Sequence, residues 1–172
     1  VTKIIDEHGW LGADIIGKQG NGALFLVIQH ADLETQLKYL PIMREAVKKG
    51  NARGSSLALL EDRTALRQGK NQTYGSQIGT NSETGKHYVL PLEDPDNVDK
   101  RRAEVGLGPI AEYTRRFEFE WDVEAYKKLL PKLEAEEAAQ TAMRKKVEAR
   151  EAKKAAKAAK KKKKKRRSKR KV

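Results

Sequence analysis

The sequence has no cysteine, which excludes disulfides and thiolate metal sites. A cysteine-free composition fits a reducing compartment, and the expected location is cytoplasmic. Long apolar runs are missing too. The longest, Ala23 to Ile28, falls far short of the roughly 18 residues that span a bilayer as a helix. Neither a transmembrane segment nor a secretory leader is expected, and a start at Val1 rather than Met leaves room for a longer parent chain. Histidine is scarce: His8, His30 and His87 are the only ones, so a histidine-rich metal centre is disfavoured and no metal site is expected. There is no Gly-Lys-Ser/Thr phosphate loop, no paired-histidine zinc helix and no Gly-x-Ser-x-Gly elbow. Nothing in the sequence specifies a cofactor.

Positive charge is abundant but confined to one end. The 172 residues carry 37 Lys and Arg against 24 Asp and Glu, a net +13. Arg144 to Val172 holds 18 of these bases with only Glu148 and Glu151 opposing them, which gives +16. Val1 to Met143 keeps 19 bases and 22 acids, a net −3. Within the tail, Lys160, Lys161, Lys162, Lys163, Lys164, Lys165, Arg166 and Arg167 form an unbroken run, and Lys169, Arg170 and Lys171 continue it. Such a block repels itself and attracts polyanions, so nucleic acid or another polyanion is the expected partner. No aromatic is interleaved, which removes base stacking and makes any binding blind to sequence. The plainer alternative is a solubilising tail. Membrane attachment ranks lower because no apolar anchor accompanies the charge.

The rest of the pattern is mainly helical. Val1–Glu7 reads as a helix end stopped at His8-Gly9, and Gly17, Gly20 and Gly22 as a flexible approach to a buried helix over Ala23–Gln29. Asp32 caps a helix bearing Leu33, Leu37 and Leu40, which Pro41 must kink or restart. Ser55 or Ser56 caps the next, over Leu57–Gln68, stopped at Gly69. Gln72–Ile78 and Lys86–Leu92 change to a strand-like composition and read as a β-hairpin. Asp94-Pro95 starts a short helix containing Val98 and Val105, Gly106-Leu107 ends it, and Pro109 opens another. A long helix begins at Asp122, and its large apolar residues run out after Leu133. The expected fold is therefore α+β and predominantly α: helices around one core with a single β-hairpin, followed by a long exposed basic helix and a disordered end beyond Lys160. The expected domains are 1–133, globular, and 134–172, an Ala/Lys/Glu helix running into the polybasic tail.

Several polar groups stand out. Gln29-His30-Ala31-Asp32 lies at a helix junction, where His30 could act as a general base with Asp32 orienting it; Asp32 serving simply as a cap is the plainer reading. Asp62-Arg63 falls inside an apolar helix, and neighbours about 100° apart cannot both be surface charges on a well-buried helix. Arg63 could clamp a phosphate or carboxylate, or pair with Asp32 or Glu93. Gln72, Tyr74, Ser76 and Gln77 offer amides and a phenol for recognition, with strand alternation setting Gln72, Tyr74 and Ser76 on one face; the alternative is a wet hairpin edge. Arg101 and Arg102 need partners only if buried.

Together, Gln29-His30-Ala31-Asp32, Asp62-Arg63, Gln72-x-Tyr74-Gly75-Ser76-Gln77, Glu93-Asp94-Pro95 and Val98-Asp99-x-Arg101-Arg102 through Gly106-Leu107 resemble a bacterial domain-of-unknown-function family, over roughly His8 to Tyr113. The resemblance implies that these residues belong to one site; it supplies no reaction, substrate or cofactor. Two functions follow. In the first, an enzyme with His30, Asp32 and Asp62 as catalytic groups, and Arg63, Gln72, Tyr74, Gln77, Arg101 and Arg102 binding substrate, transfers or hydrolyses a group on a phosphate- or amide-bearing small molecule. In the second, a non-enzymatic binding module is tethered to nucleic acid by its tail.

Overall fold

A computed structural model describes residues 1–168. Among them are seven α-helices and one hairpin: α1 (Thr2–His8), α2 (Ala13–Gln29), α3 (Leu33–Lys48), α4 (Gly54–Arg67), β1 (Ile78–Thr80), β2 (His87–Val89), α5 (Val98–Glu104), α6 (Ile110–Arg115) and α7 (Val123–Ser168). This is the helix-rich α+β class expected. Two compact units meet in the chain at Glu134 and Ala135. No helix among the described residues is long and apolar enough to cross a membrane.

Helix boundaries follow local chemistry. Asp32 caps α3 by accepting the N–H of Thr35 at 2.7 Å, and Asp122 accepts the N–H groups of Glu124 and Ala125 at the start of α7. Gly106, at φ 76°, turns the chain out of α5, with Leu107 N–H closing back on Arg102 O at 2.8 Å. Three expectations are corrected. Gly17 is not a flexible approach but a sharp break (φ 72°, ψ 166°) between two helical stretches of α2. α3 runs through Pro41; the ring costs the Leu37 carbonyl its donor, and Leu37 lies on the exposed side of the helix. Ser55 and Ser56 lie inside the first turn of α4, whose N-cap is Arg53.

The apolar residues of the first unit form two clusters, not one. Ile5, Trp10, Leu24, Ile28, Tyr39, Leu40, Met43, Ala46 and Leu60 join α1 to α4. Val89, Leu92, Val98, Ile110, Tyr126 and Leu133 join the hairpin, α5, α6 and the beginning of α7. Between the clusters runs the segment 72–77. The hairpin is shorter than its composition suggests: β1 and β2 pair antiparallel through Ile78–Val89, Gly79–Tyr88 and Thr80–His87 only. Gln72–Gln77 is an irregular loop, tied by a single parallel bridge from Gln72 to Leu92, so strand alternation does not set its side chains. Gly75 bends it at φ 66°, and a Cβ there would sit 2.7 Å from Ile110 Cδ1. Gly75→Ala is therefore expected to cost about 2 kcal/mol, from the left-handed backbone and the displaced isoleucine together. Chemical denaturation measures this, and an unchanged midpoint would contradict the packing described.

In the second unit, α7 continues to Ser168, past Lys160, where fraying was expected; alanine and lysine are strong helix formers. Arg144 pairs with Glu137 within this helix.

A polar seam as the candidate functional site

The loop 72–77 has few backbone partners of its own, so side chains must satisfy its polar groups. Asp62 does most of this. Fully buried on α4, it accepts Thr73 N–H at 2.7 Å and Tyr74 N–H at 2.9 Å on Oδ1, and Ser76 N–H at 2.9 Å on Oδ2. Burial pushes its carboxyl above the usual range, with the three N–H bonds pulling the other way. Gln72, also fully buried, spans the loop. Its Nε2 donates to the carbonyls of Gln77 and Leu90, and its Oε1 accepts the Gln77 N–H.

Two arginines close the seam from α5. Arg102 is 2% exposed; its Nε donates to Gly108 O at 2.6 Å and its Nη1 to Tyr74 O at 2.7 Å. Its guanidinium lies 5.1 Å from the Tyr113 ring centre, and the Tyr113 hydroxyl donates to Ser76 O at 2.8 Å. Arg101 donates to the carbonyls of Thr73, Glu93 and Asp94 and pairs with the Asp94 carboxylate at 3.2 Å. Asp94 occupies the N-cap position before Pro95, but its side chain does not cap. It sits at φ 42° with no capping bond, its carboxylate held by Arg101 and by Asn97 Nδ2.

The proposed catalytic groups do not assemble around His30. His30 is exposed at the C-terminal end of α2, and no hydrogen bond among the described residues joins its ring to Asp32 or Asp62. Asp32 serves as the cap, and that bond to Thr35 holds its carboxyl below the usual range. Asp62 turns toward the loop. Of the recognition groups, Gln72, Arg101 and Arg102 are bonded to backbone. Tyr74 reaches Glu61 at 3.5 Å, and Gln77 donates to the Ser76 hydroxyl. Arg63 pairs with neither Asp32 nor Glu93: its Nε is buried without a partner, and burial, reinforced by Arg67, lowers its pKa.

Two participants escaped the sequence reading. Gln36, fully buried, donates to Gln29 O at 2.7 Å, and Arg67 joins Gln36 Oε1 to Ala31 O. Gln36 precedes Leu40 and Met43 by four and seven residues, so a polar residue in the apolar stripe was the available signal.

No group of three or more His, Asp or Glu placed to hold a metal occurs among the described residues. The chain belongs to a family of unknown function: residues 1–126 match Family of unknown function (DUF6624). That span takes in the whole polar seam and stops before the basic segment. No curated protein and no solved structure matches the chain.

Proposed function

We propose that the chain is a binding module whose basic C-terminal helix holds a polyanion, with nucleic acid the class its charge density fits best. The observation behind this reading is a single face of α7. Lys146, Arg150, Lys153, Lys154 and Lys157 line one shallow depression, and all five are exposed. Their spacing of 4, 7, 8 and 11 residues from the first keeps them on one side of a helix turning about 100° per residue. Glu148 and Glu151 fall off that side. The run Lys160 to Arg167 follows in the same helix; Lys169, Arg170 and Lys171 lie outside the described residues. A rod presenting cations at a regular rise matches a phosphate backbone, and with no aromatic nearby it has no means of reading bases. The catalytic reading draws less support: His30 is exposed and Asp32 caps α3, while Asp62, Gln72, Arg101 and Arg102 are bonded to backbone.

Binding of the full chain to single- and double-stranded oligonucleotides of unrelated sequence tests the proposal by fluorescence anisotropy. With about eight phosphates neutralised, affinity should fall roughly 10⁴-fold between about 50 and 200 mM salt, equally for every sequence. Replacing Lys146, Arg150, Lys153, Lys154 and Lys157 together by glutamine should flatten the logarithmic salt slope by about four to five. Affinity indifferent to salt, or unchanged in that variant, would refute it.

A further inference from the structure

A cavity of about 380 Å³ opens between the first turn of α4 and helix α6, and Ser55, Ser56, Arg102, Tyr113 and Arg116 line it. It lies in the first unit and owes nothing to the basic helix. Its chemistry is cationic and rich in donors. Arg102 is a buried charge whose hydrogen bonds go to neutral carbonyls, and among the described residues neither it nor Arg116 forms an ion pair. Glu112, the one acid on the wall, is exposed. A buried guanidinium without a contacting counter-ion is costly, and an anion in the cavity would offset that cost.

Two further features point the same way. The 14-residue α4 begins without a side-chain cap and without an acid in its first turn, so the N–H groups at Gly54, Ser55 and Ser56 bring the positive end of the helix to the cavity. The second is on the cavity wall: the Arg102 guanidinium lies 5.1 Å from the Tyr113 ring centre, and the charges of both Arg102 and Arg116 act on that phenol against the charge of Asp62.

We propose that this cavity binds the phosphate of a small phosphomonoester, held by Arg116, Arg102, the Ser55 and Ser56 hydroxyls and the open N–H groups of α4. The Arg116 fork, the Arg102 N–H groups not bonded to Gly108 O and Tyr74 O, two hydroxyls and a helix N-terminus supply more donors than the two oxygens of a carboxylate can use, whereas a phosphate presents three oxygens and up to two charges. The volume fits a small metabolite and not a strand of nucleic acid.

The test uses the full chain carrying the five glutamine substitutions on α7, so that phosphate attracted by the basic helix does not obscure the result. Amide spectra are recorded while inorganic phosphate, and separately ribose 5-phosphate, are titrated against chloride of matched ionic strength. Saturable shifts at Gly54, Ser55, Ser56 and Arg116 are expected. Arg116→Gln, at an exposed position, should weaken binding about tenfold. Ser56→Asp should abolish binding while raising the melting temperature, because an acid in the first turn suits the helix dipole but repels phosphate. Shifts that never saturate, that fall only on residues 144–167, or that persist in both variants would overturn the assignment. Loss of nucleic-acid binding in the glutamine background bears on the basic helix alone, so the two proposals fail separately.

Discussion

Asp62→Ala is expected to destabilise the folded first unit by about 3–5 kcal/mol, the range for removing a buried charge from its hydrogen-bonded partners. In a unit of this size that lowers the melting temperature by roughly 10–20 °C. The reason is local. Three backbone N–H groups, at Thr73, Tyr74 and Ser76, all point at this one carboxylate, and no other acceptor among the described residues replaces it. Asp62→Asn should fall between wild type and alanine, since the amide oxygen can still serve one side while its NH₂ faces an N–H. The pH dependence has a definite sign. Burial raises the folded carboxyl above its unfolded value, so the folded state holds the proton more tightly. The contribution of Asp62 to stability is highest below the unfolded value and declines as pH rises through the folded one. Urea melts across that acidic range, wild type against Asp62→Asn, measure it. A difference between wild type and Asp62→Asn that rises with pH there would show that the three N–H bonds outweigh burial.

Arg102→Met carries the second large effect, also about 3–5 kcal/mol. Methionine retains much of the stem but leaves the carbonyls of Gly108 and Tyr74 without donors and removes the cation from the Tyr113 ring. The two effects should not add. Tyr74 offers its N–H to Asp62 and its C=O to Arg102, so both side chains grip the loop at the same residue. Once one has been removed, the loop is already loose and the other has less to lose. A double-mutant cycle by chemical denaturation should show the pair costing less than the sum by about 1 kcal/mol or more. Strict additivity would mean that the two halves of the seam act independently.

The parts of the fold that could be read from the sequence are those decided over a few neighbouring residues. Asp32 as a cap, Gly69 and Gly106 as stops, Pro109 before α6 and the fading of apolar residues after Leu133 each follow from a local rule. The loop 72–77 could not be read in this way. Its composition is that of a strand, but Asp62, Gln72 and Arg102 supply the partners that a neighbouring strand would have supplied, and those partners come from distant positions in the chain. The same blindness shaped the candidate site. A buried polar residue in sequence looks alike whether it awaits a ligand or holds a carbonyl. The structure assigns Asp62, Gln72, Arg101 and Arg102 to the backbone and leaves His30 in solvent. Gln36 was overlooked because an amide within an apolar stripe reads as an interruption when it is in fact a junction. Arg63, read as needing an anion or an acidic neighbour, keeps a buried Nε without a hydrogen-bond partner among the described residues.

A loop braced by side chains behaves unlike one braced by a sheet. Its backbone is fixed at Asp62, Gln72 and Arg102, none of which is on its surface, while Thr73 and Gln77 remain partly open to solvent. What the loop displays is thus uncoupled from what supports it. Such a segment is a natural place for variation: exchanging the displayed residues would re-letter the surface while the frame beneath stays as it is.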